Sequence, residues 1–373
     1  MRSATAEANG RSQGGPRPFP GSYDPEDCLF LLTPIELEDT PVADKERLIQ
    51  SGKLHYSEMV SRENPPSRRY TELFLAMTER YRHRLAGEIL ALARHAAASR
   101  SGPLTVVSLA RAGTPIGALL HRALRDHEGR DSRHFSISII RDRGLDQQAL
   151  AHILRVEDRP AQGVIWVDGW TAKGVITREL KAGVANWNAH QPERVPDQLY
   201  VVSDIGGSAD IAATYDDYVI PNGIMNATVS GLVSRSVLNA RLKPGDFHGC
   251  LVYDQLMAHD RSHWFLERIS SAMTETPAAP LPTFSRGLRR ERTEAFLQRL
   301  MREQQVSDIN RIKPGIAEAT RVMLRRVPDM LILRQGDSPD VAHLQVLAAE
   351  KGVEVTLDPT MPFNAAALIR DVL

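Results

Sequence analysis

The residues best suited to chemistry lie at positions 164–174, where an acid and several small or hydroxyl residues follow an apolar run. The apolar run predicts a buried strand, and a helical pattern begins directly after Gly174. A turn from a strand into a helix offers unpaired amides and the positive end of the helix dipole to a phosphate. Gly174 would let the backbone approach that phosphate, and Asp168 would accept hydrogen bonds from sugar hydroxyls. The pattern predicts a site for a phosphorylated sugar, and an ordinary turn with an Asp cap is the alternative.

A second turn of the same kind lies at residues 106–115. Its Gly-Thr-Pro sequence predicts a tight turn that opens a helix. The Arg111 guanidinium could pair with a phosphate group, which the backbone of Ala112, Gly113 and Thr114 could cradle. Two such turns in succession predict phosphate binding more strongly than either turn alone.

Strands and helices alternate around these turns. We predict strands at residues 104–109, 135–140, 163–167 and 199–202, and helices at residues 73–96, 145–156 and 175–188 and after Pro115. This alternation predicts an α/β fold with a mostly parallel sheet and helices on both faces. Ligands of such sheets bind at the carboxyl ends of the strands, where both turns would lie.

Further polar residues occur near the ends of predicted elements. Asp204 follows a strand and could face the cleft as a catalytic residue. Arg141 and Arg143, between the two turns, either contact a bound phosphate or lie on a solvated turn. A candidate acceptor or metal region comprises Asp216, Asp217, Asn226, Ser234 and Arg235. Magnesium could bind there, with Asp168 and Asp216 as the candidate ligands, and a pair of Asp-rich turns is the alternative.

Composition bounds the class of protein. The chain has 373 residues, with 46 Lys and Arg against 46 Asp and Glu, so no whole-molecule field marks it as a nucleic-acid binder. Cys28 and Cys250 are its two cysteines and build no disulfide framework, which fits a cytoplasmic protein. No apolar run is long enough to span a membrane, so we expect no membrane association.

The length predicts two domains. We expect a disordered leader at residues 1–20, a first domain at 21–273, a Pro-rich linker at 274–285 and a second domain at 286–373. Residues 286–326 carry eleven Lys and Arg against five acids. Such a local excess is typical of a surface that binds a phosphate backbone, although a solvated basic helix face has the same composition.

The second domain has its own pattern of elements. Helices are predicted from about Ile316 and at residues 341–350, strands at residues 330–333 and 353–357, and a last helix from Met361 to about Leu368. Lys351-Gly352 would end the second of these helices.

Two other chemistries are alternatives for the cysteines and the polar residues around them. Cys250 lies near His248 and Asp254 in sequence, but sequence neighbours do not make a protease triad. Cys28 occupies an apolar run, which argues against a reactive thiol. The cluster of His248, Cys250, Asp254, His259, Asp260 and His263 could hold a metal, but its spacing matches no metal-site rule and the pattern favours surface polar groups that flank a helix.

Four stretches of the chain together resemble a bacterial family that carries an orphan phosphoribosyltransferase domain, often with a Pelota-type RNA-binding domain. They are GSYDPEDCLFLL, HYSEMVSRENPPSRRY, VDGWTAKGVITREL and DDYVIPNGIMNATVSGLVSRSVLN. The family is associated with tellurite-resistance and stress gene clusters and is also labelled cysteine protease StiP. The resemblance covers most of residues 20–270.

The resemblance implies a type I phosphoribosyltransferase fold that binds phosphoribosyl pyrophosphate (PRPP) with magnesium. Asp168 would then contact the ribose, and Arg111 the pyrophosphate. The 5-phosphate would be held by the motif residues Gly169, Thr171, Ala172, Lys173 and Gly174, where Gly169 replaces the second acid of the family motif. Proteins of this fold class often pair as homodimers, and the acceptor substrate is not indicated.

Residues 305–373 are similar to the Pelota and kink-turn-binding fold, in which a Gly-x-Asn-Glu-x-Thr-Lys helix start contacts RNA. Gly315, Glu318, Thr320 and Arg321 match this pattern, whereas Ala317 replaces the Asn. The similarity implies RNA binding at Lys313, Gly315, Glu318, Thr320 and Arg321. The sequence therefore predicts a PRPP-dependent transferase with an RNA-binding domain; a non-catalytic nucleotide- and RNA-binding regulator and a cysteine protease are the alternatives.

Overall fold

Six parallel strands form the central sheet of the protein, which we describe from a computed structural model covering residues 16–283 and 285–372. The strands are β1 (Leu29–Leu31), β2 (Leu104–Leu109), β3 (Ser132–Ile137), β4 (Val164–Thr171), β5 (Leu199–Asp204) and β6 (Ile211–Thr214). Their spatial order is β1-β3-β2-β4-β5-β6. Because β2 is covered on both faces, all six of its residues are buried, which explains its continuous apolar character.

Helices cover both faces of this sheet. They are α2 (Arg68–Ser99), α3 (Thr114–Asp126), α4 (Gln147–Arg155), α5 (Val175–His190) and α6 (Ser262–Met273). A further helix, α1 (Val42–Gln50), instead contacts the C-terminal part of the chain through the ion pair of Glu46 with Arg326. Residues of α2, α3 and α6 share one core with Val106 of β2, whereas residues of α4 and α5 share the other with Val107. The predicted α/β fold with helices on both faces is confirmed.

The C-terminal part of the chain builds a second, four-stranded sheet. Its elements are α7 (Arg286–Glu303), β7 (Ile312–Pro314), α8 (Ile316–Arg325), β8 (Pro328–Leu333), α9 (Ala342–Lys351), β9 (Glu354–Leu357) and β10 (Ala365–Ile369). The strand order is β7-β10-β8-β9. The helix predicted from Met361 is wrong: β10 lies between β7 and β8 with all five residues buried, and pairing on both sides overrides the helix propensity of its alanines.

One hydrophobic core joins the two parts of the chain. Ile316, Ala319 and Met323 of α8 belong to the same buried cluster as Phe74 of α2. The Pro-rich segment contacts this body too, because the Ala279 amide donates to the Gly87 carbonyl of α2 at 2.9 Å. The C-terminal part is therefore packed onto the first sheet and its helices, which fixes what α8 can reach.

The start of the chain was predicted to be a disordered leader. Residues 1–15 of it lie outside the described residues. Phe19 exchanges backbone hydrogen bonds with Phe30 of β1, so the end of the predicted leader is ordered. Among the described residues, none of the helices has the length and apolar character needed to cross a membrane.

Candidate active site

Asp168 lies on β4 just beyond the last residue that pairs with the neighbouring β2. The last residue of β4 that pairs with β2 is Val167, opposite Ser108. On its other side β4 continues through Thr171, which pairs with Asp204 of β5. The prediction that the strand ends before Asp168 and a loop begins there is therefore wrong, because pairing with β5 keeps Gly169, Trp170 and Thr171 extended.

The turn into α5 is shorter than predicted and ends at Gly174. This glycine has a φ of 67°, and a Cβ atom there would lie 2.7 Å from the Cβ atom of Ser208, so glycine is required. Lys173 does not reach an open phosphate site. Its ammonium group donates to the carbonyls of Ile309 and Ile312, each at 2.9 Å, so it fastens the C-terminal part to this turn. Burial lowers the pKa of Lys173 to about 7.

Arg111 follows β2 and is held from two sides. Its side chain donates to the Val233 carbonyl at 2.8 Å and forms an ion pair with Glu63. The amides of Gly113 and Thr114 donate to the carbonyls of Leu109 and Arg111, each at 3.1 Å. The predicted pyrophosphate cradle of Gly113 and Thr114 amides is therefore wrong in this arrangement, since the turn uses both amides internally.

The two predicted turns meet at one cavity of about 160 Å³ at the carboxyl ends of β2 and β4. Arg111 and Ala112 line it from the first turn, and Asp168 lines it from β4. Arg235 and Ser236 form another wall. A helix of the C-terminal part, α8, contributes Arg321 and Arg325 to the cavity wall.

Apolar residues form the rest of the cavity wall, and some of them belong to a short hairpin in which Ile139 and Ile140 pair with Leu145 and Gly144. Tyr56, Leu109, Ala110 and Ile176 contribute, together with Ile139 and Ile140 from the hairpin. Arg141 and Arg143 lie near the tip of this hairpin. The guanidinium of Arg141 is 5.3 Å from the Tyr56 ring centre, while Arg143 is half-exposed and 3.5 Å from a Glu58 carboxylate oxygen. Neither is among the residues that line the cavity.

The charge on Asp168 depends strongly on its surroundings. Burial raises the pKa of Asp168 to about 6, and the positive charge of Arg321 opposes this effect. The Asp168 carboxylate accepts a hydrogen bond from the Gly169 amide at 2.7 Å. This carboxyl group therefore changes charge close to neutral pH, as groups in functional sites often do.

The other aspartates predicted to act in the site are structural. Asp204 is fully buried and accepts hydrogen bonds from the Ser208 and Ala209 amides at 3.0 and 3.1 Å. It also pairs with Arg289, so the expectation that it faces the cleft is wrong. Asp216 is exposed and pairs with Arg84 at 2.6 Å.

Asp217 anchors the C-terminal part of the chain. Its carboxylate accepts hydrogen bonds from the amides of Ile316, Asn364 and Ala365 at 2.8, 2.7 and 3.3 Å. In the described residues, every hydrogen bond that the Asp217 carboxylate accepts therefore comes from a backbone amide of the C-terminal part. This arrangement gives Asp217 a docking role in place of the predicted metal-binding one.

The three other residues of the predicted acceptor region lie in different environments. Arg235 lines the cavity, with its guanidinium 5.3 Å from the Tyr56 ring centre. Asn226 accepts a hydrogen bond from Arg325 at 2.6 Å and so orients a cavity residue. Ser234 is fully buried and joins backbone groups of Arg235 and Leu251.

The helix start predicted to contact RNA faces the first part of the chain. A Cβ atom on Gly315 would lie 2.5 Å from Ile205, and Glu318 accepts a hydrogen bond from Trp170 at 3.3 Å. The guanidinium of Arg321 lies 4.7 Å from the Trp170 ring centre. In this arrangement the residues predicted to contact RNA pack against β4 and its surroundings.

Thr320 and Lys313 are the two other residues predicted to contact RNA. Thr320 is buried and bonds to His343 at 2.7 Å within the C-terminal part. Burial lowers the pKa of Lys313 to about 8. Burial alone would raise the pKa of Glu318, but Arg321 and Lys313 outweigh it and hold that pKa at about 2. The helix start is thus a buried, charge-matched interface.

Two alternative chemistries receive no support from the geometry. In the described residues, no group of three or more His, Cys, Asp or Glu side chains could hold a metal ion, which speaks against the cluster around His248. Cys28 and Cys250 are both fully buried, and burial raises the pKa of each thiol far above its usual range. A nucleophilic thiol needs the opposite environment.

Sequence reasoning missed several residues of the cavity. Arg325 lies four residues after Arg321, and this helical spacing could have placed both guanidinium groups on one face of α8. Glu63 and Tyr56 lie in a stretch that was noted only as part of the family resemblance. No local pattern signals that Glu63 pairs with Arg111, since their contact depends on the tertiary fold.

Comparisons with known proteins agree with the two-part organisation. The family model described as "Tellurite-like stress resistance cysteine protease StiP" matches residues 21–270, and the model described as "PELOTA RNA binding domain" matches residues 291–371. The curated protein named Cysteine protease StiP from Acinetobacter baylyi is 39% identical over 366 residues, which cover 94% of each chain.

Among solved structures, the chain is similar to the hypoxanthine phosphoribosyltransferase of Trypanosoma cruzi, with 16% identity over 37% of this chain and 82% of that chain and a TM-score of 0.28. It is also similar to the HGPRT-ase of Leishmania tarentolae in complex with GMP, with 14% identity over 37% of this chain and 76% of that chain and a TM-score of 0.27.

Proposed function

The chain belongs to the tellurite-like stress resistance cysteine protease StiP family, as its motifs predicted, and from this premise we propose that it is a phosphoribosyltransferase and not a protease. The substrate would be PRPP, and the acceptor would be a base or nucleoside-like molecule. The observation that carries the proposal is the cavity at the carboxyl ends of β2 and β4, where Asp168 meets Arg111, Arg235, Arg321 and Arg325. One carboxylate among several guanidinium groups suits a sugar that carries phosphates.

The proposed reaction breaks the bond between the anomeric carbon of PRPP and its pyrophosphate, and the acceptor forms a new bond to that carbon. Positive charge develops on the ribose ring and negative charge on the departing pyrophosphate. Asp168 would stabilise the first and Arg111 the second. The apolar wall, including Leu109 and Ile140, would limit the access of water.

Magnesium is expected to accompany PRPP. Asp168 is the one carboxylate among the described residues that line the cavity, and Asp216 is paired with Arg84 instead. The two therefore do not form the metal pair predicted from the sequence. Asp168 would be the protein ligand, and phosphate oxygens of PRPP would supply further ligands, as magnesium prefers. When bound, the ion would share the charge of the pyrophosphate.

The proposal is tested by incubating the full chain with PRPP, magnesium and a panel of bases and measuring pyrophosphate. A transferase releases pyrophosphate in equal amount to the base consumed. The alternative, a non-catalytic regulator, is favoured by Gly169 in the place of the second acid of the motif. A regulator would bind PRPP without releasing pyrophosphate from it under any of these conditions.

Turnover should fall as the pH decreases through about 6, because the proposed role needs an ionised Asp168, whose pKa burial raises to about 6. We expect about a tenfold loss per pH unit below that value. The pKa of Asp168 in the folded chain lies above its ordinary value of about 3.9. Ionisation of Asp168 therefore lowers the free energy of unfolding above pH 6 and has no such effect below pH 4. The loss of turnover therefore does not reflect unfolding caused by this group. Pyrophosphate release measured from pH 5 to pH 8, with circular dichroism as the folding control, should show this acidic limb; a flat profile contradicts the role of Asp168.

The cysteines should be inert in the folded protein. We expect iodoacetamide to modify Cys28 and Cys250 at least about 100-fold more slowly in the folded chain than in urea, because both thiols are buried and protonated. Mass spectrometry of alkylated peptides gives both rates, and the unfolded chain is the control. Rapid alkylation of either cysteine in the folded chain would instead favour a protease.

RNA is a second proposed ligand, supported by the match of residues 291–371 to the Pelota RNA-binding model. In the described arrangement Gly315, Glu318 and Arg321 contact the first part of the chain. RNA binding at this helix start would therefore require α8 to move away from Trp170. Binding of RNA and closure of the cavity would then exclude each other.

A further inference from the structure

The walls of the cavity carry more positive than negative charge. Among the described residues that line it, Arg111, Arg235, Arg321 and Arg325 face a single carboxylate, Asp168. Two more carboxylates lie nearby, because Glu63 pairs with Arg111 and Glu318 pairs with Arg321. The four arginines therefore still outnumber the three carboxylates. Arginine stays protonated in proteins, and guanidinium groups brought together out of water repel one another. The excess of positive charge indicates that the cavity is built to receive an anion.

Buried donors on the same walls have no hydrogen-bond acceptor in the described contacts. They are Nε of Arg111, Nη1 of Arg235 and Oγ of Ser236. Arg111 and Ser236 are only 4% and 5% exposed, so bulk water does not readily satisfy them. Unsatisfied buried polar groups are costly, and an anion with several oxygens would offer acceptors to all three.

Half of these arginines come from the C-terminal part of the chain. Arg321 and Arg325 are four residues apart on α8 and therefore lie on one helix face. Each is oriented by a residue of the first part: Arg321 stacks over Trp170, and Arg325 donates to Asn226 at 2.6 Å. The two side chains are thus held in place before any ligand arrives.

The position of α8 is itself fixed by residues of the first part of the chain. Asp217 accepts a hydrogen bond from the first amide of α8, that of Ile316, at 2.8 Å. Lys173, in the turn after Asp168, holds the carbonyls of Ile309 and Ile312 that precede α8. The turn predicted to bind a phosphate thereby seats the helix that brings two more cations to the cavity.

We propose that Arg321 and Arg325 of α8 form half of a diphosphate-binding site and hold the ligand together with Arg111. The inference rests on the proposed function and makes the C-terminal domain part of the substrate site as well as an RNA-binding module. Arg321, which matches the RNA-contact pattern of the Pelota fold, would then recognise the diphosphate group of PRPP.

Inorganic pyrophosphate is the probe that tests this site. We expect Arg321→Gln to weaken pyrophosphate binding to the full chain by about 10- to 100-fold, because charge-assisted hydrogen bonds are lost. The matched control is Arg302→Gln, which makes the same change at an exposed position in the last turn of α7. It should bind within about twofold of the unaltered chain, since it lies outside the cavity wall. Isothermal titration calorimetry measures both, and circular dichroism confirms that each variant is folded.

The outcomes separate this inference from the proposed function. If Arg321→Gln binds pyrophosphate as tightly as the unaltered chain, or the unaltered chain does not bind it, the α8 half-site is overturned. Turnover of PRPP that survives in that case leaves the transferase proposal standing. If binding depends on Arg321 while no base yields turnover, the half-site is supported and the transferase proposal fails.

Discussion

Replacing Asp168 by asparagine is expected to lower pyrophosphate release from PRPP by at least about 100-fold. The amide has nearly the same shape but no charge, so it cannot stabilise the positive charge that develops on the ribose ring. The same change removes the negative charge that faces Arg321 and the other arginines of the cavity. Pyrophosphate binding should therefore become tighter while turnover collapses.

These opposite directions distinguish a catalytic role from a structural one, because a damaged site would lose both properties. Pyrophosphate release and calorimetric binding of pyrophosphate measure them separately. Asp197→Asn is the matched control, since Asp197 precedes β5 at the opposite edge of the sheet and pairs with Lys181 near the surface. Full turnover in Asp168→Asn would show that the site has been assigned to the wrong residue.

Replacing Asp217 by alanine should have the largest effect on how the two parts of the chain pack. The change leaves the Ile316, Asn364 and Ala365 amides without their acceptor, which should lower the free energy of unfolding by about 3 kcal/mol. Because α8 loses its anchor, pyrophosphate affinity should fall by about tenfold or more. RNA affinity should rise, because the helix start at Gly315 and Glu318 becomes exposed.

Urea unfolding, pyrophosphate titration and binding of a structured RNA measure these three effects. The neighbouring Asp216 supplies the control, because it is exposed and its ion pair with Arg84 is worth at most about 1 kcal/mol. Asp216→Ala should therefore leave pyrophosphate and RNA affinity unchanged. If Asp217→Ala lowers RNA affinity together with pyrophosphate affinity, α8 does not switch between the two ligands.

Local sequence patterns predicted the sheet and the neighbourhood of the cavity. The apolar runs of β2 and β4 are buried strands because helices cover both faces of the sheet. Parallel strands bring their carboxyl ends to one edge, which is why Arg111 and Asp168 meet at one cavity although they are far apart in sequence. The pattern failed for β10, where an alanine-rich segment has no local signal that separates helix from a fully buried strand.

Local sequence patterns could not predict the contacts between the two parts of the chain. Lys173 and Asp217 look like ligands for phosphate and metal in sequence, yet both bind backbone groups of the C-terminal part. Arg321 looks like an RNA contact, yet it lines the cavity with Asp168. All three differences have the same cause, which is the docking of α8 onto the first part of the chain. This docking depends on contacts such as that of Asp217 with Ile316, which lie 99 positions apart.

A crystal structure of the full chain soaked with PRPP and magnesium tests the central claim most directly. We expect density for the ribose next to Asp168 and for the pyrophosphate in contact with Arg111 and Arg321. PRPP bound elsewhere on the chain, or a cavity still closed to it at saturating PRPP, would contradict the proposed transferase site.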